Sequence, residues 1–244
     1  METKVILVYI KGVEDGWRFM RSARNSVRAG EPVVALKAGK SLRGAQAASS
    51  HMSSLAGRYE VYEAALRQEG AIVVNELSEL VSVAKALSWL PAPRGGRVAI
   101  VTNGGGTEVL ATDALELQGL TMATLSRKTR ERLKAELPPA ASISNPVDIL
   151  GDALLEGYEA AVNIVLEDEG VDAVVVTGIM QSSAFIPGKV LKVLRGAKVF
   201  GKPLVFVGPG GSYSDRHLKM IEEEARVPSF KTPRGRCESV EVLS

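Results

Sequence analysis

The chain has only two histidines, and one of them lies where an imidazole has room to react. His51 sits among small residues in the segment Ala47-Ala48-Ser49-Ser50-His51-Met52-Ser53-Ser54. A neutral imidazole is a competent nucleophile near pH 7, and a segment with little apolar area can approach another surface closely. The residues alone leave two interpretations open: a nucleophile, or an exposed loop histidine without a role.

A glycine turn is the second candidate. Asn103-Gly104-Gly105-Gly106-Thr107 joins a predicted strand at 97–102 to a predicted helix at 107–118. The first amides of a helix lack backbone partners and lie at its positive end, and glycines let a phosphate approach them. Val109 stands where a dinucleotide fingerprint has its third glycine, and no Walker ending follows. The turn is therefore either a phosphate site or a plain βα connection.

A third segment, Gly178-Ile179-Met180-Gln181-Ser182-Ser183, follows a predicted buried strand at 171–177. Ligands collect at such carboxyl-end loops in parallel sheets, although the residues alone favour an ordinary loop. Asn145-Pro146-Val147-Asp148 reads as a rigid polar loop that indicates no ligand. We interpret Pro209-Gly210-Gly211 as a structural turn and His217 as a solvated helical residue.

Strands and helices alternate along the chain, which predicts βαβ units and mostly parallel sheets. The stretch 37–56, rich in Gly, Ala and Ser, is predicted to be a loop. Prolines and glycines concentrate at Leu90–Gly96, where hydrophobic periodicity stops. We predict an α/β protein with two doubly wound parallel-sheet domains, at 1–92 and 96–233, and an atypical tail at 234–244. The first domain has about three strands.

Composition excludes several classes of function. Lys plus Arg number 30 and Asp plus Glu 28, so a formal charge of +2 gives no argument for nucleic acid or an acidic membrane. The single cysteine, Cys237, excludes an internal disulfide and a cysteine-cluster metal site. We expect no metal site, no signal peptide and no membrane span, and therefore a cytoplasmic protein.

Five segments together resemble one family: Pro32–Ser41, Ala48–His51, Ser54–Gly57, Val98–Gly106 and Ser144–Asp148. The first three are similar to the phosphohistidine segment of the NDP-forming acyl-CoA synthetases (the ADP-forming acetyl-CoA synthetase α-subunit type), which belong to the succinyl-CoA synthetase superfamily. The last two are similar to that family's later ligase module. The resemblance extends to about Pro233 and implies two flavodoxin-like domains, the first truncated at its N-terminus.

The resemblance implies a phosphoryl relay. Acyl-CoA and phosphate give acyl phosphate and CoA, a histidine takes the phosphoryl group, and a mobile loop carries it to ADP in an ATP-grasp domain. His51 occupies the carrier position. The implied substrate and phosphate contacts are Asn103, Gly104, Gly105, Gly106, Gln181, Ser182 and Ser183, the last three where the family places a helix N-terminus. CoA, ADP or ATP, phosphate and Mg²⁺ belong to the complete enzyme, and none is assigned to this chain alone.

The sequence departs from the family at several points. The CoA-binding domain and the first module's opening strand and helix are not in it. Lys11 stands where the family usually has a glutamate, so it cannot accept the imidazole N–H and disfavours a cationic ring, although it could still attract a phosphoryl group. Met52 and Ser53 replace a usual Thr-Gly. The segment after Pro233 lacks the expected apolar helix, and we hypothesise an altered reading frame there.

Three hypotheses follow. The chain is a subunit of an acid–thiol ligase whose ATP-grasp and CoA-binding parts lie on other chains of a homo- or hetero-oligomer, and it cannot run the full reaction alone. Alternatively, it is an inactive relic or scaffold that binds phosphate or a partner. A regulatory module of an acyltransferase is disfavoured, because no acyltransferase segment is present. The acyl group and the nucleotide stay open.

Overall fold

A computed structural model describes residues 3–49, 58–153 and 155–232. The chain divides into two compact units, Met1–Ser88 and Trp89–Ser244. The predicted linker, Leu90–Gly96, begins just beyond that division. Each unit is a parallel α/β sheet with helices, as the alternating pattern predicts.

The first unit carries a parallel sheet of three described strands in the order β1-β2-β3. Its elements are β1 (Ile6–Ile10), α1 (Gly16–Arg28), β2 (Val33–Lys37), α2 (Leu42–Ser49), α3 (Tyr59–Gln68), β3 (Ile72–Val74) and α4 (Leu77–Trp89). All five residues of the central β2 are buried, which explains its continuous apolar run. Alternate strand residues, among them Ile10, Val33 and Ala35, pack in one cluster with Leu66 of α3.

One prediction for this unit is wrong. We predicted a loop over 37–56, but α2 forms at Leu42–Ser49. Alanines at three positions of the segment favour a helix, and Ser41 caps its start, because its Oγ accepts a hydrogen bond from Gly44 N at 3.1 Å. The alanines that suggested irregular chain together with Gly and Ser are also the best helix formers, and a cap allows the helix to begin.

The second unit contains a fully parallel sheet of six described strands. Its strands are β4 (Arg97–Thr102), β5 (Thr121–Met122), β6 (Val147–Asp148), β7 (Ala173–Thr177), β8 (Leu204–Val207) and β9 (Ser229–Phe230). The helices are α5 (Gly105–Leu117), α6 (Arg127–Glu136), α7 (Leu155–Glu167), α8 (Pro187–Gly196) and α9 (Ser212–Met220), with a 3₁₀ turn at Ala197–Phe200 and a π-turn at Ile221–Ala225. The strand order is β5-β4-β7-β8-β9, and β6 also pairs with β4.

Both faces of this sheet are covered. Along β4, Ala99 and Val101 join the larger core cluster, whereas Val98 and Ile100 join a second cluster with Ala111 of α5. Alternate residues thus enter opposite cores, so the strand is apolar throughout rather than alternating. This arrangement fixes the carboxyl ends of β4, β7 and β8 side by side, where their loops emerge.

Asn145 completes the outer side of β4 between two very short strands. β5 pairs with the start of β4 and β6 with its end. In the gap, Asn145 Oδ1 accepts from Ile100 N at 2.9 Å, and Asn145 Nδ2 donates to the carbonyls of Val98 and Ala123, both at 2.9 Å. One side-chain amide therefore makes the hydrogen bonds that a strand residue would otherwise make.

Candidate functional site

A buried cluster of threonine hydroxyls holds the carboxyl ends of β4 and β7 together. The Thr177 hydroxyl donates to Thr102 Oγ1 at 2.6 Å, and Thr107 Oγ1 lies 3.2 Å from Thr177 Oγ1. Thr107 also donates to the carbonyl of Gly104 at 2.7 Å, which fixes the glycine turn. Tyr158 donates to the Thr177 carbonyl at 3.2 Å. The turn thus starts from a rigid, hydrogen-bonded base.

Asn103 ties the glycine turn to the loop after β7. Its side chain is buried, and its Oδ1 accepts a hydrogen bond from Ile179 N at 2.7 Å. Within the described ranges, Asn103 Nδ2 has no hydrogen-bond partner, and the atom is accessible to solvent. The side-chain oxygen of Asn103 therefore has a structural role, and its side-chain nitrogen is a donor at the carboxyl edge of the sheet.

The three glycines of the turn differ in their surroundings. A Cβ on Gly104 would lie 2.7 Å from Ile179 Cγ1, so close packing against the β7 loop requires glycine there. At Gly105 and Gly106, an added Cβ would meet nothing within 4 Å, and neither residue has a positive φ. Both are exposed and are the first two residues of α5, whose N-cap Gly104 provides no side-chain cap. Neither packing nor backbone conformation explains these two glycines.

The predicted residues Gln181, Ser182 and Ser183 lie in the loop after β7, and two of them connect neighbouring loops. Gln181 Nε2 donates to Ser214 Oγ at 3.1 Å, at the start of α9. Ser182 Oγ donates to the Gly151 carbonyl at 2.5 Å, in the loop after β6. Ser183 is exposed, and α8 begins only at Pro187. This loop is thus joined to the glycine turn through Asn103 and to two further loops.

Two carboxylates lie at the same edge: Asp148, from the polar loop that indicates no ligand, and Glu108, which we did not single out. Burial raises the pKa of Glu108, in the first turn of α5, and the charge of Asp148 raises it further. Asp148 also adds to the effect of burial that raises the pKa of Tyr158 well above its ordinary value. The edge therefore combines open backbone amides with an acidic pair beside them. The sequence signal for Glu108 is its place two residues after Gly106, in the first turn of the predicted helix.

The remaining sequence candidates lie in the first unit. His51 falls in the segment 50–57, outside the described residues. Lys11 directly follows β1 and is exposed. At this edge of the sheet the structure also places Lys37, the buried last residue of β2, and Asn75, which follows β3.

The described residues contain neither a cluster of metal ligands nor a helix that could span a membrane. In residues 3–49, 58–153 and 155–232, no three His, Cys, Asp or Glu side chains converge as a metal site would require. In the same ranges, no helix has both the length and the apolar character that crossing a bilayer demands.

Two family descriptions match consecutive parts of the chain. Residues 1–87 match the succinyl-CoA ligase like flavodoxin domain, and residues 98–208 match the ligase-CoA domain. The second match contains the glycine turn and the loop after β7.

Several known proteins are similar to this chain over nearly its whole length. The chain is 39% identical to the α subunit of acetate–CoA ligase (ADP-forming) II of Pyrococcus furiosus, over 95% of this chain and 51% of that one. It is 41% identical to acetate–CoA ligase (ADP-forming) I of Archaeoglobus fulgidus, over 99% of this chain and 34% of that one. The acetyl-coenzyme A synthetase 1 of Ca. Korarchaeum cryptofilum, solved in complex with phosphate and ADP, superposes with a TM-score of 0.86 at 31% identity, over 98% of this chain and 52% of that one.

The chain thus spans about half the length of the α subunit and of the solved synthetase, and about a third of the Archaeoglobus ligase. The succinyl-CoA ligase like and ligase-CoA matches follow each other in the order that the sequence resemblance implied. The chain belongs to the NDP-forming acyl-CoA synthetases of the succinyl-CoA synthetase superfamily, as a segment similar to their α subunits.

Proposed function

We propose that the chain binds phosphate and carries the phosphoryl group in an NDP-forming acyl-CoA synthetase, with His51 as the carrier. The overall reaction converts acyl-CoA, ADP and phosphate into the free acid, CoA and ATP. The complete reaction also requires a CoA-binding part and an ATP-grasp part.

One observation carries the proposal: Gly105 and Gly106 leave the amino end of α5 open although no contact among the described residues requires glycine there. Glycine in a helix interior is less stable than alanine by about 0.5–1 kcal/mol, and at any unstrained position glycine also leaves the unfolded chain more freedom. A ligand that approaches the backbone amides gives a reason for this loss, and phosphate suits them by charge and geometry. Asn103 Nδ2, which has no partner in the described part of the chain, adds a side-chain donor at this edge.

The chemistry divides into three transfers. A phosphate oxygen attacks the thioester carbonyl, and the CoA thiolate leaves. An imidazole nitrogen of His51 then attacks the phosphorus of the acyl phosphate, and the carboxylate leaves. Finally, a terminal ADP oxygen attacks the phosphohistidine, and the imidazole leaves. In each step the site positions the reacting groups and stabilises the negative charge, because catalysis of phosphoryl transfer consists mainly of these two effects.

The decisive test is the phosphorylation of His51. The chain is mixed with a candidate ATP-grasp chain, Mg²⁺ and γ-labelled ATP, and acid-labile label is measured. Label is expected on the unmodified chain, absent in His51→Ala and retained in His217→Ala, because His217 is a half-buried residue of α9 whose Nδ1 lies 2.8 Å from the Tyr213 carbonyl.

The control is an ATP-grasp chain that labels an intact homologue. With that control positive, no label on this chain would refute the carrier role and would leave a phosphate-binding scaffold as its function.

Lys11 gives a second variant for the same assay. In the family a carboxylate usually stands at this position, where it would accept the imidazole N–H and stabilise the charged ring. If Lys11 slows the transfer, Lys11→Glu will label faster than the unmodified chain, and Lys11→Gln will fall between them. Equal rates for all three would show that this position takes no part in the transfer.

A further inference from the structure

A buried lysine at the end of β2 has no counter-charge in the described structure. Lys37 is only 4% exposed, and its ammonium donates one hydrogen bond, to the carbonyl of the adjacent Ala38. Its Nζ also lies 4.8 Å from the ring centroid of Tyr62. Across residues 3–49, 58–153 and 155–232, no carboxylate pairs with it. A buried ammonium is unfavourable unless an opposite charge compensates it, and a ring contact compensates only in part.

A second lysine reaches the same helix. Lys40 is exposed, its Nζ donates to Asn75 Oδ1 at 2.8 Å, and it lies 5.0 Å from the ring centroid of Tyr59. Tyr59 and Tyr62 are three residues apart on α3, so their side chains are neighbours on one face. The two rings therefore bring both ammonium groups to the first turn of α3.

The amino end of α3 adds partial positive charge at this turn. The N-cap of α3, Arg58, provides no side-chain hydrogen bond, so the first amides of the helix lack a side-chain acceptor there. The acidic side chains nearby already have partners. Glu79 accepts from Asn75 N at 2.7 Å, and Glu60 forms a long, exposed ion pair with Arg58 at 3.7 Å.

The position in the sheet agrees with a ligand site. Lys37 ends β2, Lys40 follows it, and Asn75 follows β3, so all three lie at the carboxyl edge of a parallel sheet, where ligands bind in open α/β folds. We propose that this edge binds a phosphate-class anion between Lys37, Lys40 and the amino end of α3. The lowered pKa of Lys37, which burial causes, agrees with a missing counter-ion.

The residues of this site belong to the first unit, whereas the glycine turn belongs to the second. The anion has two possible sources, free phosphate or the diphosphate group of a nucleotide or of CoA. If the source is a diphosphate group, pyrophosphate is expected to bind more tightly than phosphate. Equal or weaker binding of pyrophosphate would identify free phosphate as the source.

The test is a titration of the full chain with phosphate and with pyrophosphate, at constant ionic strength, followed by NMR of the lysine side chains. The signals of Lys37 and Lys40 are assigned with Lys37→Met and Lys40→Gln. Both signals are expected to move and saturate together. The signal of Lys4 should not move, because Lys4 is an exposed lysine before the opposite, amino end of β1.

The variants provide the second readout. Lys37→Met removes a buried charge, so it should fold at least as well as the parent chain, yet its anion affinity at this edge should fall at least tenfold. Lys40→Gln should weaken binding in the same way, and Lys4→Gln should not. Gly106→Ala should leave the Lys37 response intact, which separates this proposal from the glycine-turn site. An unmoved Lys37 signal at millimolar pyrophosphate, or unchanged affinity in Lys37→Met, would overturn the proposal.

Discussion

Replacing Gly106 with alanine should make the chain more stable and at the same time weaken its phosphate binding. The added Cβ meets nothing within 4 Å, and Gly106 has no positive φ, so alanine fits without strain. Gly→Ala at a compatible position stabilises a protein by about 0.4–1 kcal/mol, mainly because the unfolded chain loses freedom. For a unit of this size, that gain raises Tm by roughly 1–4 °C.

The loss of binding follows from the position of the same methyl group. Gly106 is the second residue of α5, where the backbone amides have no intrahelical acceptor. A methyl group there keeps an anion from approaching these amides closely. Losing one hydrogen bond to a charged group costs about 1.5–3 kcal/mol, so phosphate affinity should fall roughly 10- to 100-fold.

Gly196→Ala is the matched control. Gly196 is the last residue of α8, has helical dihedrals (φ −62°, ψ −35°), and likewise has open space around an added Cβ. It should gain similar stability in urea unfolding and keep full phosphate affinity, measured on the backbone amide signals of Gly105 and Asn103. If Gly106→Ala behaves like Gly196→Ala in both measurements, the open glycines do not serve an anion.

Three further changes test the scaffold of the second unit. Asn145→Ala leaves a buried strand amide without its acceptor and should lower the free energy of unfolding by about 2–4 kcal/mol in urea; a loss below about 0.5 kcal/mol would refute its bridging role. Burial and Asp148 raise the pKa of Glu108, so the free energy of unfolding should fall as pH rises through that pKa. Glu108→Gln should abolish this fall, and an unchanged pH profile would contradict the prediction. Asp172→Asn should cost about 1–3 kcal/mol at pH 7, because Arg97 holds the pKa of Asp172 below its usual value. That difference should shrink as pH falls through the lowered pKa, and a constant difference would refute the ion pair as its cause.

The sequence predicted the alternating elements because both sheets are buried on two faces, which produces continuous apolar runs such as β2 and β4. It could not predict β5, β6 or β9, since each has only two residues and no periodicity can be read from so few. The helix α2 was missed because Gly, Ala and Ser occur both in loops and in capped helices.

For the site residues, the location could be predicted but the structural role could not. Their location at the carboxyl edge of a parallel sheet follows from chain order alone, whereas the family resemblance was needed to name Asn103 and Gln181 as contacts. Their roles depend on partners far along the chain: Ile179 for one and Ser214 for the other. No local pattern contains these partners, so the link that Gln181 makes between two loops could not be predicted.

The glycine turn shows how structure separates two reasons for the same residue type. Gly104 is explained by packing, because any side chain there would collide with Ile179. Gly105 and Gly106 have no such explanation, since space is open around both. A residue that lowers helix stability without a steric or conformational cause indicates a constraint from outside the fold. The phosphate proposal therefore depends on the two glycines that the protein's own structure does not need, and substitution at Gly104 cannot test it.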